Sequence, residues 1–158
     1  MPKDILVIDV GGTHIKIKSS NHDERRSFES GSKMTASRAV SGVKKLVGEW
    51  AYSAVSIGVP APVVHGHILH KPYHLGKGWV GFDFESSFGC PVKIINDAAM
   101  QALGGYHGGR MLFLGLGTGL GSAMIVEGVI QPMELAHSPY KKKTFEHYVG
   151  RSGLKRLG

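Results

Sequence analysis

Ile5-Leu-Val-Ile-Asp9-Val-Gly11-Gly12-Thr13-His-Ile-Lys16 reads as a buried strand, a glycine bend and a returning strand. The near-continuous apolar run over 5–10 marks the first strand as buried. Ile15 and Ile17 alternate with Lys16 and Lys18, so the second strand keeps one wet face. Gly11-Gly12 suits a primed two-residue turn, which needs positive φ at both central positions. Backbone without side chains lets N–H groups come close to a phosphate. Asp9 closes the first strand, where a hard divalent cation finds an oxygen ligand directly or through its water shell. Thr13 adds a hydroxyl. No Gly-x-x-x-x-Gly-Lys-Ser/Thr occurs in the chain, so the bend suggests phosphoryl transfer without a Walker loop.

Working outward, the chain has 158 residues, of which 42% are hydrophobic. That is enough for a packed core and argues against global disorder. Nineteen basic and 12 acidic residues leave a net charge of +7. Two readings fit the excess: a solvated surface with a basic C-terminal helix, or affinity for a polyanion. Lys141-Lys142-Lys143 carry much of it. The lone Cys90 excludes a disulfide framework and a multi-cysteine zinc site. The N-terminus lacks an apolar signal segment and no stretch reaches membrane-spanning length. The expected location is therefore the cytoplasm, with no membrane partner.

Strands are predicted over 4–10, 13–19 and 24–30, then a helix over 35–50. There Ala39, Val43, Leu46, Val47 and Trp50 recur at helical spacing. Residues 54–59 read as a buried strand ended by Pro60 and Pro62. Residues 63–70 read as a short strand with polar alternation, 71–81 as a loop, 82–88 as a short helix and 92–95 as a strand. Asn96 or Asp97 caps a helix running to about 103. Gly104-Gly105 and Gly108-Gly109 bracket a break. It places a first lobe over 1–108 and the start of a second over 109–158. Strands over 111–116 and 120–126 form a second glycine-turn hairpin. A loop follows Glu134, then a basic helix from about 144.

Gly115-Leu-Gly117-Thr118-Gly119-Leu-Gly121 has glycine at every second position, which bares one face of a strand. It is either a second phosphate bend or a glycine-rich hairpin packed against a neighbouring backbone. Pairing it with Asp9–Thr13 favours the phosphate bend. Asp97 follows a buried strand at the mouth of a helix, where the ionised carboxylate is favoured. It is either a plain cap or the group that takes a proton from an attacking hydroxyl, with Asn96 on a neighbouring hydroxyl. Glu134-Leu-Ala-His137 offers planar polar groups suited to sugar hydroxyls, or is a solvated loop pair. His65, His67, His70 and His74 are too loosely spaced for a metal site and read as strand or loop histidines. Trp79 is a sugar platform, a lid anchor or core.

The order β-β-β-α-β, then α-β, resembles the ribonuclease H-like lobe of sugar kinases, actin and Hsp70-type ATPases. This implies an α/β fold with a mixed sheet and the beginning of a second, similar lobe. Several motifs together resemble the ROK family of sugar kinases, especially its polyphosphate glucokinase branch. They are Asp9-Val-Gly-Gly-Thr13, Gly58-Val-Pro-Ala-Pro62, Gly78-Trp79-Val-Gly81, Asn96-Asp97-Ala98, Gly117-Thr-Gly119 and Glu134-Leu-Ala-His137. The run Phe145-Glu-His-Tyr-Val-Gly-Arg-Ser-Gly-Leu-Lys-Arg resembles the polyphosphate branch rather than the zinc-bearing one, so no zinc is expected.

The resemblance implies a kinase that moves a phosphoryl group from polyphosphate or ATP to the 6-hydroxyl of glucose or a related hexose. In it Asp97 is the catalytic base, and Asn96, Glu134 and His137 hold the sugar. Gly11, Gly12, Thr13, Gly117, Thr118 and Gly119 hold donor phosphates, with Mg2+ near Asp9. No nucleic-acid partner is implied. Ala136 stands where the family often has glycine. The chain ends before the family's later strands and its adenosine-holding glycine segment. A truncated chain, or one completed by a partner chain or homo-oligomer, is therefore expected, with a sheet edge and apolar surface uncovered. The alternative is a non-catalytic sugar-binding sensor of the same fold.

Overall fold

The computed structural model describes residues 4–157. The chain divides into two compact units, one ending at Asp97 and the other beginning at Ala98. In the first, β1 (Ile5–Val10), β2 (His14–Ser19) and β3 (Arg25–Glu29) form an antiparallel meander. Helix α1 (Ala36–Val47) returns the chain to β4 (Ala54–Val59), which runs parallel to β1. A small hairpin, β5 (Val63–Val64) and β6 (His67–Ile68), and the short helix α2 (Phe84–Phe88) precede β7 (Val92–Asn96). β7 is parallel to β4, and the sheet order is β3-β2-β1-β4-β7. The fold is α/β with a mixed five-stranded sheet, as the motif order implies.

The alternation in the sequence explains which face is covered. Leu6, Ile8, Val10, Ile15, Ile17, Val55 and Ile57 are buried in one core with Ala39, Val40, Val43 and Val47 of α1. Burial of each such aliphatic side chain contributes about 1.5–3 kcal/mol. Thr35 caps α1, its hydroxyl accepting from the Arg38 amide at 3.2 Å. Gly48, at φ +59, ends it. Trp79 is core: it is 1% exposed and its indole N–H donates to the Met34 carbonyl at 3.1 Å. The expected single strand over 63–70 is instead the β5–β6 hairpin. His65 and Gly66, both at positive φ, reverse the chain there in the manner of a primed turn.

Helix α3 (Asp97–Gly104) carries the chain across the division. The second unit holds β8 (Arg110–Leu116), β9 (Leu120–Val126) and β10 (Val129–Pro132), an antiparallel sheet with β9 in the centre. β10 is absent from the sequence reading; it follows a turn at Glu127-Gly128, both at positive φ. Ala99 and Ala102 of α3 pack with Ala123 and Ile125 of β9. The expected loop after Glu134 is a 3₁₀ turn over Leu135–His137, followed by the two-residue strands β11 (Pro139–Tyr140) and β12 (Lys143–Thr144). The expected single basic helix is two, α4 (Phe145–Val149) and α5 (Arg151–Leu157), broken at Gly150. Lys141–Lys143 therefore belong to the turn and strand before the helices, not to a helix.

Candidate active site

Three parallel strands deliver the first group of site residues. In the register across β1, β4 and β7, Asp9 lies opposite Gly58, Gly58 opposite Ile95, and Val59 opposite Asn96. Asp9, the Gly11–Thr13 bend, Asn96 and Asp97 thus gather at the carboxyl ends of adjacent strands. Neighbouring strands lie about 4.8 Å apart, so β1 and β7 are separated by about 10 Å. This is the end of an open α/β sheet at which ligands bind.

The first bend differs from its expected form. Neither Gly11 nor Gly12 has positive φ. The Gly11 amide donates to the His14 carbonyl at 2.9 Å, so Gly12 and Thr13 are the central residues. The primed turn expected at Gly11-Gly12 is corrected accordingly. What requires glycine here is crowding. A Cβ on Gly11 would meet the His14 carbonyl oxygen at 2.9 Å, and one on Gly12 would meet the His74 Cβ at 3.0 Å. Thr13 is exposed, and its carbonyl accepts from the Ser30 amide at 2.8 Å.

The side chain of Asp9 is 28% exposed, and its carboxylate lies 3.8 Å from the Lys16 ammonium on the facing strand. Burial pushes the Asp9 carboxyl above its usual value, and the Lys16 charge opposes this more weakly. Asn96 ends β7, with its amide N–H donating to the Ala61 carbonyl at 3.2 Å in the Pro60-Ala61-Pro62 loop. Asp97 is the first residue of α3 and is half-buried. Among the described residues no three His, Cys, Asp or Glu side chains are grouped to hold a metal ion.

A second group sits in the second unit. Gly117, Thr118 and Gly119 form a three-residue bend between β8 and β9, with the Gly117 amide donating to the Gly119 carbonyl at 3.0 Å. None is at positive φ. The alternating glycines divide in purpose. Gly115 and Gly121 face each other across the hairpin, and a Cβ on Gly121 would lie 3.1 Å from the Ala98 Cβ, so that pair serves packing. Gly117 and Thr118 are exposed at the tip.

Glu146 of α4 is a residue the sequence reading missed. Its carboxylate accepts from the Leu120 amide at 3.1 Å, and a Cβ on Gly119 would meet it at 2.2 Å. The Arg151 amide, at the start of α5, donates to the Gly117 carbonyl at 3.0 Å. Helix α4 also touches the 3₁₀ turn that presents Glu134 and His137. Both are exposed; Glu134 precedes the turn and His137 ends it. Ser122, 6% exposed, anchors the turn by accepting from the Leu135 amide at 3.2 Å. The Ala136 methyl is buried, so it is accommodated within the turn's own packing. Only the fold reveals Ser122 and Glu146, because each acts through backbone groups distant in sequence.

Comparison with known proteins bears on the family and the fold. The family model described as "ROK family" matches residues 5–132. The solved structure of an inorganic polyphosphate/ATP-glucomannokinase from Arthrobacter sp. strain KM superposes with a TM-score of 0.82. It is 27% identical over 98% of this chain and 71% of its own. A ROK family glucokinase from Streptomyces griseus, solved with glucose and AMPPNP, gives a TM-score of 0.77 over 97% of this chain and 59% of its own. At 20% identity it supports the fold alone. A glucokinase of Pyrobaculum calidifontis is 30% identical over 132 residues, 79% of this chain. The chain spans less than half the length of that relative, 44%. Among the described residues no helix is long and apolar enough to cross a membrane.

Proposed function

The chain belongs to the ROK family, and from that premise we propose that it is a glucokinase-like sugar kinase. It transfers a phosphoryl group from polyphosphate or ATP to the 6-hydroxyl of glucose or a related hexose. The observation that carries this reading is the shared strand edge, where Asp9 and the first bend stand two strands from Asn96-Asp97. Phosphoryl transfer asks little covalent chemistry of a protein; it asks for positioning and charge stabilisation.

In this reading Asp97 accepts the proton of the attacking hydroxyl while Asn96, Glu134 and His137 orient the sugar. Asn96 is pre-oriented by its bond to Ala61. The bends at Gly11-Gly12-Thr13 and Gly117-Thr118-Gly119 hold donor phosphates, and the functional lobes meet at the glycine break near residue 108, although the compact units divide after Asp97. Asp9 fits a magnesium ion that is shared with the donor. It is one hard oxygen ligand beside an open backbone bend, and Mg2+ is commonly held by one or two carboxylates plus substrate phosphates. Its desolvated carboxylate lacks full compensation from Lys16, which a cation would supply. When bound, the ion neutralises phosphate charge.

The test measures glucose 6-phosphate formation with polyphosphate and with ATP. Asp97→Ala should lower turnover by about 10²–10⁴-fold, with glucose affinity by titration calorimetry essentially kept. Equal turnover in the two proteins refutes the base assignment. His137→Ala should weaken glucose binding, and unchanged affinity removes it from the site.

A further inference from the structure

An open cavity of about 310 Å³ lies in the first unit, between the end of β3 and the start of α1. Its walls include Ser30, Ser32, Lys33 and Arg38. It adjoins the first bend directly, since the Ser30 amide donates to the Thr13 carbonyl at 2.8 Å. Arg38 is oriented by a bond to the Lys33 carbonyl at 3.3 Å. Among the described residues neither Lys33 nor Arg38 has an acidic partner within ion-pair distance. Glu29, the nearest acidic residue along the chain, does not line the cavity.

The placement of these cations opposes helix stability. Both stand at the amino end of a 12-residue helix that has no acidic residue in its first turn. A helix amino terminus carries partial positive charge and favours anions, so two cations there repel it unless an anion intervenes. Charge set against a local rule is a feature that functional sites show. The wall adds the hydroxyl of Ser32 and backbone beside Gly31, which is at φ +138.

We propose that this cavity is a second phosphate subsite, which holds the distal phosphates of a polyphosphate donor whose reacting end lies on the first bend. The assignment rests on the kinase reading above and deepens it to a donor class. A nucleoside triphosphate spends its phosphates at the bends and continues as a nucleoside. A long linear polyphosphate has further charges, and this cavity beside the first bend offers the Lys33 and Arg38 cations to receive them. The subsite binds and positions; no bond is made or broken in it.

The experiment titrates the 158-residue chain with long-chain polyphosphate and with tripolyphosphate by calorimetry. Three proteins are compared: wild type, Lys33→Ala/Arg38→Ala, and Lys44→Ala/Lys45→Ala. The last removes the same charge from the opposite end of α1. The cavity variant should lose about tenfold or more in affinity for the long chain, the scale of lost charge-assisted contacts. Its affinity for tripolyphosphate and its melting temperature should stay near wild type, and the Lys44/Lys45 control should bind like wild type. Long-chain affinity unchanged in the cavity variant, or lowered equally in the control, overturns the subsite. If glucose phosphorylation persists in that case, the kinase reading stands while the subsite falls. A wild-type chain that neither binds nor transfers phosphate overturns both.

Discussion

Asp9 shows how one residue is fitted for chemistry at some cost to stability. Its folded carboxyl titrates above the unfolded value, chiefly through burial. The folded state therefore retains a proton over a window in which the unfolded chain has released it. Stability falls as pH rises through that window, and the loss persists at neutral pH. Asp9→Asn should raise Tm by up to a few degrees at pH 7 while lowering phosphoryl transfer; a lower Tm in thermal melts would show that the Lys16 pair outweighs desolvation. Gly12 and His74 make a second case. His74 holds φ +61, and its Cβ occupies the space that a side chain at position 12 would need. His74→Gly should relieve the backbone and raise Tm, since glycine adopts this conformation without strain. Gly12→Ala should lower Tm by displacing the 71–79 loop, and the double variant should recover most of that loss.

At the scale of elements, α1 is seated by two devices. Gly42 faces Phe28 so closely that a Cβ would lie 2.6 Å from the ring. Gly42→Ala gains about 1 kcal/mol of helix propensity but overpacks the contact by about 1–3 kcal/mol, so chemical denaturation should show net destabilisation. Arg26 closes the other end: its guanidinium donates to the Leu46 and Val47 carbonyls at 2.9 and 3.0 Å and lies 4.0 Å from the Trp50 ring centroid. His22 stacks on the same ring. Arg26→Ala should lower the midpoint of chemical denaturation, because it removes both the charge-assisted capping and the cation–π contact. Elements with strong periodicity were legible in the sequence; α1, β1, β2, β4 and β9 fall close to where alternation and helical spacing place them. The 63–70 hairpin was not, because two-residue strands are too short to show a period. Nor was the break at Gly150. A Cβ there would lie 2.8 Å from the Glu146 carbonyl and 3.3 Å from that of Thr118, a crowding that only packing reveals.

For the molecule as a whole, the second unit's sheet leaves β8 as an outer strand whose Leu112, Leu114 and Leu116 are 53%, 50% and 69% exposed. An apolar strand with a free edge is a template for pairing. Sedimentation should therefore show association that grows with concentration, and Leu112→Lys/Leu114→Lys should suppress it without changing the far-UV circular dichroism. A strictly monomeric wild type would contradict this. The residue types of the candidate site, and the order in which they arrive, were settled by the sequence alone. Buried parallel strands must end in loops at one edge, and small or carboxylate-bearing residues follow those strands. Tertiary structure alone decided why Gly11 and Gly12 must be glycine, which is neighbouring atoms rather than φ. It also decided that Glu146 braces a bend 26 residues away and that Lys33 and Arg38 line a cavity against Thr13's neighbour. Gly12 against His74, Glu146 against Leu120 and Ser30 against Thr13 are contacts between residues far apart along the chain, and distance in space leaves no trace in local pattern.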